Sequence, residues 1–308
     1  MTTMTAIESQ LVQPIEFLQK IVNKGGPEPH EYDQLTQIAD KVGREHKAGN
    51  ISAIDLKLMQ QGFGDECLSA TLHGHSIRKP YGYAGDFMII DKIYREYITP
   101  DGRFEKWDRF WQNCAATRAV RNRKAYFVKT IVNCLERKGR LDLLNVASGP
   151  ARDLADLYVR IGKGRVSTVS IEADGRAITY AKGLNSGFGE EIDFVEKNIF
   201  RYEPKDVFDV VWSAGLFDYF NDRVFVKMLR KFVSWTKPGG EVIIGNFSTS
   251  NPTRAFMELF GDWYLHHRSA SQLTSLAVQA GVEKQNIRIE NEPEGVNLFL
   301  HVRVSGIQ

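Results

Sequence analysis

The stretch Leu143-Leu-Asn-Val-Ala-Ser-Gly-Pro-Ala-Arg-Asp153 constrains this chain more than any other. An apolar run ends in small residues, and a helix-forming segment from Leu154 to Val159 follows. A strand that turns into a helix through small residues lets a ligand approach bare backbone at the helix N-terminus. Twenty-three residues beyond Gly149 stands Glu172, closing a second apolar run, Val169-Ser-Ile. An acidic side chain at that distance holds ribose hydroxyls in nucleotide-binding βαβ units. The spacing predicts a ligand that carries a nucleoside.

The loop also narrows the ligand. Ala147 and Ala151 stand where a dinucleotide fold has glycines, and Gly149 alone remains. No Gly-Lys-Ser/Thr follows, which excludes a phosphate-cradling P-loop. A pyrophosphate needs very close backbone approach and favours three glycines. Alanines suit a smaller, uncharged or zwitterionic group.

The chain changes character near residue 140. Before it, helical periodicity dominates. Ile7, Leu11, Ile15, Phe17, Leu18, Ile21 and Val22 fall near one face, and Asn23-Lys-Gly-Gly-Pro27 breaks the pattern. Further helices are expected over 32–46, 51–61, 87–97 and 103–135, with an ordered Gly- and Tyr-rich loop over 78–86. On the helix over 103–135, Val120, Phe127, Val128, Ile131 and Leu135 share a face, while Arg118, Arg121, Arg123 and Lys124 lie mainly elsewhere. From Leu141 onward strands and helices alternate. Strands are expected over 141–146, 168–172, 192–196, 208–213 and 241–246, with helices over 222–235, 252–265 and 271–281. Two last runs, 286–291 and 297–304, suit an antiparallel pair. Such alternation means a largely parallel sheet with helices on both faces. The expected division is a helical region over 1–139 and an α/β ligand-binding domain over 140–308.

Bulk properties exclude several classes. A net charge of +2 gives no electrostatic case for nucleic acid. Cys67, Cys114 and Cys134 are few, odd in number and spaced unlike a disulfide framework or zinc site. No run approaches the roughly 20 apolar residues of a membrane span. The first residues lack a basic and apolar leader, so a cytoplasmic protein is expected.

The order of features carries a resemblance. Gly149 follows strand 1, Glu172 ends strand 2, and Asn198 follows strand 3 in Glu196-Lys-Asn-Ile-Phe200. Strand 4 ends in Ser213-Ala-Gly-Leu-Phe-Asp-Tyr219, and Lys237-Pro-Gly-Gly240 precedes strand 5. This series, over about residues 141–304, resembles the class I S-adenosylmethionine (SAM)-dependent methyltransferases. The resemblance implies a Rossmann-like sheet of seven strands with the last antiparallel, preceded here by an all-helical extension. It implies SAM as cofactor. Ala147, Ser148 and Gly149 would pass under its methionine part. Glu172, beside Ala173, would accept both ribose hydroxyl protons. Asn198 would bond the adenine amino group while Ile199 packs on the ring. Ser213, Ala214 and Gly215 would offer backbone near the amino-acid part. Asn145, Ala147, Ala151 and Asn198 depart from the family's usual residues. Each position also has a simpler reading: a turn glycine, a solvated Glu172 at a strand end, an Asn198 helix cap.

Acceptor residues are sought elsewhere. Pro80-Tyr-Gly-Tyr-Ala-Gly-Asp86 offers Tyr81 and Tyr83 either as a lid or as two staples. Tyr219 follows strand 4. In Gly261-Asp-Trp-Tyr-Leu-His-His-Arg268, Trp263, Tyr264 and Arg268 suit a hydrophobic molecule with an acidic end. His266, His267 or Asp218 would serve as a base for a hydroxyl or amine acceptor. A carboxylate acceptor, ionised at neutral pH, needs only a positioning cation such as Arg121 or Arg268. No metal is expected, because neither His73 with His75 nor His266 with His267 has an identifiable third ligand. Taken with Ala119-Val-Arg-Asn-Arg123, these motifs are similar to a bacterial methyltransferase group described as making methyl esters of 3-hydroxy fatty acids. A small-molecule methyl acceptor is expected as partner, with a homodimer as an allowed assembly. Two other classes stay open: aminopropyl transfer on the same fold, and a catalytically silent SAM-fold module.

Overall fold

In the computed structural model, residues 4–305 are described, with side chains from residue 14 onward. Ile7 and Leu11 of the expected first helical face lie outside the described side chains. The chain forms two compact units. Among the described residues, one comprises those up to 118 together with 252–264, the other 119–251 and those from 265 onward.

The first unit is helical. It holds α1 (Met4–Asn23), α2 (Tyr32–Lys47), α3 (Ala53–Gln61), α4 (Asp65–Ala70), α5 (Leu72–Arg78), α6 (Phe87–Tyr94) and α7 (Glu105–Asn113). The helix expected over 103–135 is two. Cys114 takes an extended ψ of 138° and ends α7; α8 (Ala115–Lys138) starts afresh and runs into the second unit. In α1, Leu18 and Ile21 are buried, but Ile15 faces solvent. Sequence periodicity missed α4 and α5, each of seven residues or fewer. Short helices carry too few turns to display a period. The core of this unit is aromatic: Phe63 meets His73 and Trp107 edge-on at 4.1 and 5.0 Å.

In the second unit seven strands form one sheet: β1 (Leu141–Val146), β2 (Val166–Glu172), β3 (Ile192–Glu196), β4 (Phe208–Ser213), β5 (Thr236–Phe247), β6 (Ile287–Asn291) and β7 (Asn297–Arg303). Their order is β3-β2-β1-β4-β5-β7-β6. Pairings through β5 are parallel, while β7 lies antiparallel between β5 and β6. The expected fold is the one observed. Between strands lie α9 (Arg152–Ile161), α10 (Gly175–Leu184), α11 (Asp222–Ser234), α12 (Arg254–Leu259) and α13 (Ala270–Gln279), of which α12 belongs to the helical unit. Neighbouring strand residues face opposite sides. Leu143, Trp212 and Ile243 pack with Phe127, Leu154 and Tyr158 of α8 and α9. Leu144, Val211 and Ile244 pack with Phe225, Phe232 and Leu273 of α11 and α13. Both faces are covered, which is why these strands read as near-continuous apolar runs.

Lys237-Pro-Gly-Gly240 is not a turn before β5 but a bulge inside it. Phe208 pairs with Thr236, yet Val210 already pairs with Glu241. Gly239, at φ +77°, supplies the left-handed step. The helix expected over 252–265 covers only Arg254–Leu259, and 263–269 is irregular. Among the described residues no helix is long and apolar enough to cross a membrane.

Candidate cofactor site

The site lies at the C-terminal ends of β1, β2 and β4. Register places Val146 beside Ile171 and Asn145 beside Trp212, so the loops that follow leave the sheet at one edge. The β1–α9 loop winds through three left-handed residues: Ala147 at φ +54°, Gly149 at +54° and Ala151 at +51°. An alanine in that region is strained, at about 1 kcal/mol each. Surrounding bonds hold the loop. Ser148 N donates to Ile171 O at 3.2 Å, Ala151 N to Ser148 O at 3.1 Å, and Asn185 Nδ2 to Ala151 O at 3.1 Å.

Glu172 is tied to this loop. Its Oε2 accepts from Gly149 N at 2.9 Å, and Oε1 accepts from Ala173 N and Asp174 N at 2.7 and 3.1 Å. A carboxylate has about four acceptor positions, so backbone occupies most of them and fixes its orientation. It is half-buried at the strand end, not a freely solvated one. Asn198 is exposed, and its Oδ1 caps a short 3-10 turn by accepting from Phe200 N at 2.9 Å. Ile199 beside it is buried, and Phe200 is 49% exposed.

Three buried polar atoms around the loop have no hydrogen-bond partner: Asn145 Nδ2, Ser148 Oγ and Ser213 Oγ. Buried polar groups are ordinarily satisfied. The space where a Gly149 side chain would stand is open to 4 Å. Ala151 caps α9 without a side-chain hydrogen bond, which leaves that helix N-terminus to polar company. Orphaned donors, an open glycine and an oriented carboxylate fit a ligand with a ribose and a zwitterionic tail.

Sequence periodicity underrated Arg123. It is buried on α8, in phase with Val120, Phe127 and Ile131. A cation inside an apolar stripe was the available signal. Its Nη1 donates to Ala214 O at 3.2 Å, and its guanidinium stands 3.3 Å from where a Gly215 side chain would lie. Arg121, one of the two expected positioning cations, is half-buried on the same helix. Two acids lie within Arg123's field. Burial pushes Asp153, in the first turn of α9, up to about 6, and Asp218 up to about 7, against that field.

Asp218 is no exposed base. It is buried, with Oδ1 accepting from Phe247 N at 2.6 Å and its carbonyl accepting from His266 N at 2.7 Å. Arg268 is likewise committed. It donates to Phe217 O at 3.2 Å, to Asn246 Oδ1 at 2.8 Å and to Asp222 Oδ1 at 2.9–3.0 Å, and lies 4.9 Å from the Phe225 ring. Its Nη2 also bonds Phe220 O. His267 is half-buried: Nδ1 meets Leu265 O at 3.2 Å and Nε2 meets Asn251 Nδ2 at 3.3 Å. His266 is exposed, as is Tyr219 at 41%. The remaining acceptor candidates belong to the helical unit. There Tyr81 meets Phe87 edge-on at 4.5 Å, Tyr83 and Tyr264 are exposed, and Trp263 is buried.

Residues 143–240 match the family model described as a methyltransferase domain. No curated protein matches the chain significantly. Among solved structures, a possible exported protein from Bordetella parapertussis shares 15% identity with a TM-score of 0.62, over 99% of this chain and 100% of that one. The apo S-adenosylmethionine-dependent methyltransferase SibL shares 13%, with a TM-score of 0.51 over 98% and 96%. The CMeT domain of the citrinin polyketide synthase shares 12%, with a TM-score of 0.51 over 75% and 60%. At these identities the structures attest the fold alone. The family match adds the chemistry: the chain is an enzyme with a SAM-dependent methyltransferase domain, and S-adenosylmethionine is its cofactor.

Proposed function

We propose that the enzyme methylates a small apolar molecule on its carboxylate, of the kind found in 3-hydroxy fatty acids. The observation that carries this reading is the state of the bases. Asp218 is buried against Phe247 N, and both ring nitrogens of His267 face hydrogen-bond partners. A carboxylate acceptor, ionised at neutral pH, needs neither.

S-adenosylmethionine supplies an electrophilic methyl group on its sulfonium. Ser148, Ser213 and Asn145 would hold its amino-acid part, where their polar atoms now lack partners. Glu172 would bind the ribose, with its orientation already fixed by Gly149, Ala173 and Asp174. Ile199 would pack against the adenine, and Asn198 would approach it with the amide nitrogen that its cap leaves over. Arg123 would fix the β4 loop through Ala214 O and keep positive potential near an anionic group. Phe200 and Tyr219, both exposed at this end of the sheet, suit an apolar acceptor. Three buried free thiols support a reducing, cytoplasmic setting.

A second reading, methylation of a hydroxyl or amine, is favoured by the exposed imidazole of His266. Methyl-labelled SAM offered with a medium-chain 3-hydroxy fatty acid separates the two. A labelled methyl ester, formed at a rate nearly flat across neutral pH, supports the carboxylate. Label on oxygen or nitrogen elsewhere, with a rate rising through the imidazole range, overturns it.

A further inference from the structure

We propose a second ligand site, for a small dianion, at the opposite end of the sheet from the cofactor loop. A cavity of about 460 Å³ opens where β4 and β5 begin, beside the last turn of α8 and the outer strands β6 and β7. That volume falls in the range of small-molecule sites. Asp209, on its wall, is four residues upstream of Ser213 on β4, about 13 Å at strand rise. The cavity and the cofactor loop therefore lie at opposite ends of the same strand.

Charge decides the class of ligand. The lining carries four permanent cations, Arg137, Lys138, Arg288 and Arg303, against two carboxylates, Asp209 and Glu241. Both carboxylates are already engaged. Asp209 takes Lys138, at the end of α8, at 2.7 Å and Lys237, in the bulge of β5, at 2.9 Å. Glu241 takes Arg288 at 3.1 Å and the buried His301 at 2.7 Å. Arg137 and Arg303 have no carboxylate partner among the described residues. Arg137 meets only the weak acceptor Cys134 Sγ, at 3.2 Å. Arg303 stands across from Glu241 in the β5–β7 register without an ion pair to it, and two guanidiniums that line one concave space with no carboxylate bonded to them suit two negative charges, in a phosphoryl group or a pair of carboxylates. Cys134, Val210 and Ile287 add apolar wall, which suits a small organic body between the charges.

Both arginines are exposed, so replacing them spares the core. Calorimetry on the full chain at fixed ionic strength uses inorganic phosphate in one arm and succinate in the other, with chloride as control. Saturable binding of at least one dianion is expected, and its identity tells phosphoryl from dicarboxylate. Arg137→Gln together with Arg303→Gln should weaken it at least about ten-fold, as for lost charge-assisted bonds. Demethylated SAM should bind that variant as it binds the parent, which certifies the fold. Binding of neither dianion above chloride, or equal binding by the folded variant, overturns the proposal.

Discussion

Arg123 Nη1 donates to the carbonyl of Ala214 at 3.2 Å, joining α8 to the loop that leaves β4. A buried guanidinium without that role would be costly, because desolvating a charge needs compensation. Arg123→Ala should therefore cost about 3 kcal/mol of stability. It should also weaken SAM binding, and Arg123→Lys should restore charge without the planar fork. Urea unfolding and SAM titration of the two variants separate packing from positioning. Stability lost with cofactor affinity unchanged would confine Arg123 to the fold.

Asp218 makes stability depend on pH. Burial raises it from the usual range near 4 to about 7 in the folded chain. Between those values the folded state keeps a proton that the unfolded chain releases. Its contribution is complete below about pH 4 and is lost as pH rises through about 7. Asp153, raised to about 6 by burial, acts with the same sign. Thermal unfolding should show a falling midpoint from mildly acidic to mildly alkaline buffer. Asp218→Asn, which keeps a neutral side chain throughout, should flatten the fall. An unchanged slope in that variant would remove Asp218 as its source.

Arg268 joins three carbonyl or amide oxygens and Asp222 beneath the β4 loop. Arg268→Ala should destabilise the protein by about 3–5 kcal/mol, the range for breaking a buried, hydrogen-bonded charge. Chemical unfolding of the variant checks the value. A loss below about 1 kcal/mol, with acceptor affinity impaired, would return Arg268 to the substrate.

The strained alanines give a finer test. Ala147 and Ala151 sit at φ +54° and +51°, where glycine carries no side-chain penalty. Ala151→Gly should leave stability equal or raise it by up to about 1 kcal/mol, the relieved strain offsetting backbone entropy. Ala147→Val should lower stability by more than about 1 kcal/mol, because a β-branched residue tolerates this region worse. Denaturant midpoints read both. A stabilised Ala147→Val would contradict the left-handed loop.

Much of the sheet was legible in the sequence, because the central strands β1 and β4 are buried on both faces and stand out as apolar runs, while the edge strand β3 shows as a short run between polar residues. β1, β3 and β4 begin and end where those runs do. What escaped is set by tertiary packing. The break between α7 and α8 rests on the backbone of Cys114, which no propensity marks. The bulge in β5 reads as a turn, because Pro and Gly signal both. At the site, the carboxylate of Glu172 was legible by spacing, but its three backbone partners were not. Asp218 and Arg268 read as surface chemistry in one dimension. Only the fold reveals that Phe247, Asn246 and Asp222 consume them.

The account turns on the tie between Gly149 and Glu172, and calorimetry with SAM and its demethylated product tests it most directly. The parent enzyme should bind both. Glu172→Ala should weaken binding at least about ten-fold, the loss expected for charge-assisted bonds to the ribose, with the fold retained by circular dichroism. Binding of neither ligand by the parent, or full affinity in Glu172→Ala, would contradict a cofactor held at this loop.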